Sequence, residues 1–157
     1  MPPIHGSDAQ VFVDTSGSLT DISSATWTLV ENAEDINPPG SRETDTRQPR
    51  AASSGVAVPG KLNLEASFSM LIDPADTVYT GLRDAFANRT VIGVAFAEGD
   101  PSGTPSVGAW TYLAYITDMS PGFPVGGAAT VEVSVAPAPF PAATGQAYDS
   151  DFSPSGT

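Results

Sequence analysis

No cysteine occurs among the 157 residues. Disulfide frameworks, thiolate nucleophiles and cysteine-ligated zinc are therefore excluded. A chain without disulfides suits assembly in a cytoplasm. There is one histidine, His5, and one lysine, Lys61. His5 falls in a loose N-terminal arm, whereas a nucleophile–imidazole pair needs an ordered ring and a metal site needs a cluster of ligands. Lys61 opens a strand on its polar side, not in an apolar pocket of the kind that activates an amine.

Positive charge is scarce as well. Six basic residues face 18 acidic ones, a formal net charge of −12. Neither the basic patch that binds phosphate backbones nor a polybasic membrane-binding segment is present. No run approaches the roughly 18 apolar residues of a membrane-spanning helix. No basic segment followed by an apolar stretch marks a signal peptide, so a soluble protein is expected. Gly122, Gly126 and Gly127 precede a strand rather than a helix, so they read as turn residues and not as a phosphate cradle. Asp149 and Asp151 lie in a tail without further oxygen ligands for calcium. The remaining acids do not converge as a glycosidase pair must. No catalytic residue, cofactor or metal is expected.

What is present is a β-protein pattern. The hydrophobic fraction is 40%, enough for one core. The 15 glycines and 15 prolines imply frequent turns. After an arm over residues 1–9, Gln10 to Asp14 alternates as a strand, and Leu19 to Ile22 is expected to return as a hairpin. Ala25 to Glu31 reads as a strand by its Thr, Val and Trp content. Lys61 to Ile72 gives the strongest period of two: Leu62, Leu64, Ala66, Phe68, Met70 and Ile72 on one face, with Lys61, Asn63, Glu65, Ser67 and Ser69 on the other.

Asp73-Pro74-Ala75-Asp76 is a helix start. Val78, Leu82, Ala85 and Phe86 form its apolar stripe, and it ends near Asn88. Strands follow over 90–96, 109–117, with bulk on both faces, and 129–135, with Glu132 and Ser134 opposite three valines. Residues 98–108 and 119–127 read as loops. Trp27, Phe68, Phe86, Trp110 and Tyr112 are expected in the core. A sugar-binding platform would need exposed, coplanar rings, and Phe123, on a loop, and Phe140, in the tail, are the candidates for one. The domain spans residues 10–136, and a flexible Pro/Ala/Gly-rich tail spans 137–157.

One segment breaks the rhythm. Asp35 to Gly60 has almost no large apolar residue before Val56, and loops of that length in compact domains are usually functional or disordered. It carries Arg42, Arg47 and Arg50, half of all basic residues, balanced by Asp35, Glu43 and Asp45. The segment is neutral, and the rest of the chain carries the whole −12.

This order of elements resembles the major tail tube proteins of siphophages and gene transfer agents. The resemblance is carried by ATWTLVENAEDI running into NPPGSRETDTRQPRAASSG, by KLNLEASFSMLIDPADTVYTGLRDAF, and by AYITDMSPGFPVGGAATVEVSV, and it covers Gln10 to Pro137. It implies a mainly β fold, an antiparallel β-sandwich or barrel with one flanking α-helix and a long inter-strand loop. It also implies a virion tail protein, assembled in the host cytoplasm, whose copies form rings, usually hexameric, stacked into a tube. Partners would be further copies and other tail proteins (tape measure, terminator, baseplate). DNA would pass through the lumen without specific binding, and no membrane would be involved.

On that resemblance Arg42, Glu43, Asp45, Arg47 and Arg50 are inter-subunit loop residues. Asn63, Glu65, Ser67, Ser69, Glu132 and Ser134 are candidates to line the lumen, where acidic groups repel phosphates. Without the resemblance, ordinary solvent exposure is the favoured reading of these polar faces. The alternatives are another virion β-protein, either a capsid decoration protein or a tail terminator, and a carbohydrate-binding β-sandwich module.

Overall fold

The computed structural model describes residues 6–17, 19–51, 53–101, 107–138 and 147–154. Nine strands and one α-helix appear among them: β1 (Gln10–Asp14), β2 (Thr28–Leu29), β3 (Ala33–Asn37), β4 (Ser41–Arg47), β5 (Val56–Asn63), β6 (Ala66–Leu71), α1 (Thr77–Asn88), β7 (Ile92–Ala97), β8 (Ala109–Gly122) and β9 (Thr130–Pro137). Seven strands form one sheet in the order β2-β1-β7-β8-β9-β6-β3, and β4 and β5 form a separate two-stranded ribbon. Every strand pairing is antiparallel.

The two edge strands of the large sheet are neighbours in sequence, joined only by Val30, Glu31 and Asn32. Val30 N–H donates to Val11 O at 2.9 Å, and Leu71 N–H donates to Asn32 O at 3.0 Å. The linker thus bonds to β1 on one side and β6 on the other, which requires the sheet to curl round on itself, although β2 and β3 do not pair and no barrel closes. Inside the curl lie Val11, Val13, Phe68, Met70, Ile92, Val94, Phe96, Tyr112, Val131 and Val133. Helix α1 adds Val78, Leu82 and Ala85 to this core. Each large side chain so buried contributes about 1.5–3 kcal/mol.

The expected strand over Lys61 to Ile72 is broken. Leu64 and Glu65 fall between β5 and β6, where Asn63 Oδ1 accepts from Glu65 N–H at 3.0 Å. The break preserves parity, so Ala66, Phe68 and Met70 keep the buried face. The helix begins later than expected. Asp76 is its N-cap, accepting from Val78 N–H at 2.9 Å, while Asp73 accepts from Ala75 N–H in the turn before it. Its C-cap, Arg89, takes a left-handed φ of 55°. Phe86, expected in the core, is 41% exposed because it lies off the Val78–Leu82–Ala85 line.

The expected return strand at Leu19–Ile22 is replaced by one bond from Leu19 N–H to Val91 O and a 3₁₀ turn over Ile22–Ser24. That turn is capped by Asp21. The strand expected over Ala25 to Glu31 shrinks to the two residues of β2. The loop expected over residues 119–127 begins as strand, since β8 runs on to Gly122 against β9.

The long segment Asp35 to Gly60 is not a loop. Its first residues belong to β3 and the rest forms the β4–β5 ribbon, with register from Ser41↔Asn63 to Arg47↔Val56 and a bulge between Arg42 and Thr44. Pro59 sits beside that bulge, where a strand tolerates a residue without an N–H. Within the expected flexible tail, residues 147–154 pack onto the sheet instead. Asp149 pairs with Ala109 through reciprocal backbone bonds of 2.8 and 2.9 Å, and Phe152 is buried against Phe12 and Trp27 at ring separations of 5.4 and 5.8 Å. His5 and Phe140 lie outside the described residues.

Candidate functional site

The outer face of the curled sheet has two halves. Over β1, β7 and the first part of β8 it is apolar and covered: Phe12, Ala95, Ala97 and Ala109 pack with Phe152, Trp27 and Leu29. Gly93 makes room there, because a Cβ would come within 3.3 Å of both Trp27 and Leu19. Asp14, at the end of β1, is buried and pins this cover. Its carboxylate accepts from Ser16 N–H, Ser16 Oγ and Thr26 N–H at 2.9, 2.6 and 2.8 Å.

Over β3, β6, β9 and the far part of β8, the outer face is bare. Registers Ser67↔Ser134 and Ser69↔Glu132 put four of the expected lumen residues side by side. Two residues the sequence reading missed on β8, Asp118 and Ser120, pair with Ser134 and Glu132. Ser120 Oγ donates to Asp118 Oδ2 at 2.6 Å. On the other flank, Asp35 N–H donates to Ser69 Oγ at 3.1 Å and Asn37 Nδ2 to Ser67 Oγ at 3.4 Å. Glu65 stands at the lower rim of this face, beside a hollow of about 500 Å³ that it shares with Asn37, Ser67, Thr117 and Ser134. Asn63 is not on the face: it ends β5 and its side chain holds the turn into β6.

Asp118 and Ser120 escaped notice because a bulge between Ile116 and Asp118 shifts the alternation by one, and Pro121 hides a strand that continues past it. The signal that finds them is the match of Met119 to the valine face of β9 once one extra residue is allowed.

None of the seven strands of the large sheet contains a Lys or Arg. Four of the six basic residues, Arg42, Arg47, Arg50 and Lys61, lie between residues 41 and 63, on the ribbon and its turn. Every described residue of β4 is exposed, and β5 is exposed up to Lys61. Arg47 Nε contacts Asp45 Oδ2 at 2.6 Å, and Arg42 Nη1 donates to Gly60 O at 2.9 Å. Arg42, Glu43, Asp45 and Arg47 therefore stand on one strand of a projecting hairpin, with Arg50 in its turn. Among the described residues no further strand pairs with this ribbon, and an isolated two-stranded ribbon is marginal in water.

Among the described residues no group of three or more His, Cys, Asp or Glu side chains is placed to hold a metal ion. No described helix is long and apolar enough to cross a membrane. Among the described residues the exposed aromatics Phe86, Phe123 and Tyr148 sit on three separate elements, the helix, the β8–β9 turn and the C-terminal segment. Tyr148 donates to Glu98 at 3.2 Å. Partial burial, then the charge and hydrogen bond of Glu98, raise its pKa above the ordinary value.

No protein-family model matches the chain, and no curated protein matches it by sequence. Solved structures do match it in fold. A chain from the tail of an empty gene transfer agent particle with C6 symmetry superposes with a TM-score of 0.66 at 17% identity, over 93% of this chain and 97% of that one. The SPP1 tail tube gives 0.63 at 17% identity, over 85% of this chain and 75% of that one. The sheath/tube terminator of the PVC extracellular contractile injection system gives 0.62 at 14% identity, over 88% and 95%. The chain therefore has the fold found in tail tubes.

Proposed function

We propose that this protein is a structural virion protein whose copies form rings, six to a ring, that stack into a tail tube through which DNA passes. The observation that carries this reading is the bare outer face of β3, β6, β9 and β8. It displays Asp35, Asp118, Glu132 and the serines without one Lys or Arg, on a fold shared with a six-fold symmetric tail. Facing a channel, such a surface repels phosphates and lets DNA slide. Ser67, Ser69, Glu132 and Ser134 line that channel, joined by Asp118 and Ser120, with Glu65 at its rim. Asn63 has a structural role instead. The projecting hairpin, through Arg42, Glu43, Asp45, Arg47 and Arg50, is the contact between copies, since guanidinium groups suit carboxylate partners on an acidic neighbour. The protein belongs to the virion tail, alongside tape measure, terminator and baseplate proteins.

The hairpin can be removed without touching the sheet, because Asn37 and Ser67 are paired where it leaves and returns. Replacing residues 41–63 by a short Gly-Ser linker is expected to leave a folded monomer with an unchanged near-ultraviolet circular dichroism spectrum, and to abolish tubes in electron micrographs. Normal tubes from the deleted chain would reject the contact role. The likeness to a tube terminator supports a second reading, a ring that ends a tube. Single rings that never elongate at high concentration distinguish it.

A further inference from the structure

Two hairpins leave the body from opposite ends. Strand β6 starts at Ala66, next to the end of β5, and five residues later, about 17 Å on, Leu71 pairs with Thr130 while Ile72 N–H donates to Ala129 O at 2.9 Å. The β4–β5 ribbon therefore projects from the start of β6 and the β8–β9 turn from its far end. Among the described residues, four of the six exposed large hydrophobic side chains lie on these two features: Val56 and Val58 on the ribbon, Phe123 and Val125 on the turn.

The turn presents its apolar side chains to solvent. Gly127 N–H donates to Pro124 O at 3.5 Å and Gly126 takes φ +81°, a left-handed value suited to glycine. Phe123 is 73% exposed and Val125 fully so. Residues 119–131 carry no charge, and acids Asp118 and Glu132 flank them. On the ribbon, Val56 pairs with Arg47 and Val58 with Asp45, so both valines share a face with the Arg47–Asp45 ion pair, with Arg50 beyond. One end thus offers an apolar knob with acidic flanks, and the other an apolar strip beside the Arg47–Asp45 ion pair with Arg50 beyond it.

We infer that the β8–β9 turn of one copy docks through Phe123 and Val125 onto the Val56–Val58 face of the β4–β5 ribbon of a second copy. This deepens the tube reading and rests on it, since it names the surface that receives the ribbon. A contact between opposite ends uses different patches on the two copies, so it repeats from copy to copy along one direction. Apolar packing supplies the contact, and Arg47 and Arg50 are drawn toward the acidic end of the next copy, whose Asp118 and Glu132 remain in the channel wall.

The absence of cysteine makes the test clean. The doubly substituted chain Val58→Cys with Val125→Cys is assembled and treated with a short bismaleimide. A ladder of covalent multimers is expected, while each single substitution gives no band beyond the monomer. Tubes without a ladder overturn the docking and leave the tube reading standing. A parent chain that never assembles overturns the tube reading and the docking with it. In a second measurement, Phe123→Ser with Val125→Ser is expected to keep the parent's melting temperature, because neither residue belongs to the core. It should raise the critical concentration for assembly about tenfold or more; an unchanged critical concentration contradicts the docking.

Discussion

The covered and bare halves of the sheet's outer face are built on strands of the same period, yet they differ in what the chain does next. Over β1, β7 and the start of β8, small and aromatic side chains face outward, and the chain spends residues 19–29 and 147–154 covering them. Over β3, β6 and β9, serines and carboxylates face outward and nothing in the described chain returns to cover them. The difference teaches that the bare half is already suited to water, while the covered half is not. A face kept polar across four strands, with every base held elsewhere, is the face proposed to meet a water-filled channel.

Phe152→Ala tests the covered half most severely. Phe152 is 2% exposed between Phe12 and Trp27, so its loss should cost about 3–5 kcal/mol, read as a fall in the urea midpoint. A cost below about 1 kcal/mol would mean that the C-terminal segment only rests on the sheet.

A smaller effect is expected where the two halves meet, on β8. Tyr112 is buried with no partner for its hydroxyl among the described residues, and burial raises its pKa above the ordinary 10.0. The fold binds the neutral phenol, so this contribution to stability is intact below pH 10 and is lost as pH climbs above it. Tyr112→Phe should therefore flatten the alkaline fall in melting temperature and change stability at pH 7 by no more than about 1 kcal/mol. An unaltered alkaline fall would assign it to other groups.

The smallest stability effect belongs to the bare half. Glu132→Lys together with Glu65→Lys should shift stability by no more than about 0.5 kcal/mol, because both side chains are exposed. The same pair should hinder DNA passage, measured as particle infectivity or transfer. Unchanged transfer by assembled tubes would remove these residues from the lumen.

Much of this contrast was legible in the residues. Phe68, Met70, Val131, Val133 and Val135 alternate with polar neighbours, so β6 and β9 declared both their faces, and Val78, Leu82 and Ala85 declared the helix. The ribbon did not declare itself. SRETDTR is polar on both sides, and a strand exposed all round leaves no hydrophobic period to read. The break at Leu64–Glu65 was invisible because it preserves parity. The continuation of β8 was masked by its bulge and by Pro121. Phe152 was a lone aromatic in a stretch of Pro, Gly, Ser and Asp, and only the tertiary fold brings it to Phe12 and Trp27.

Electron microscopy of the purified full-length chain, raised stepwise in concentration, tests the central claim most directly. Six-membered rings stacked into tubes with an open channel are the predicted result. A chain that stays a monodisperse monomer at the highest concentration reached would contradict it.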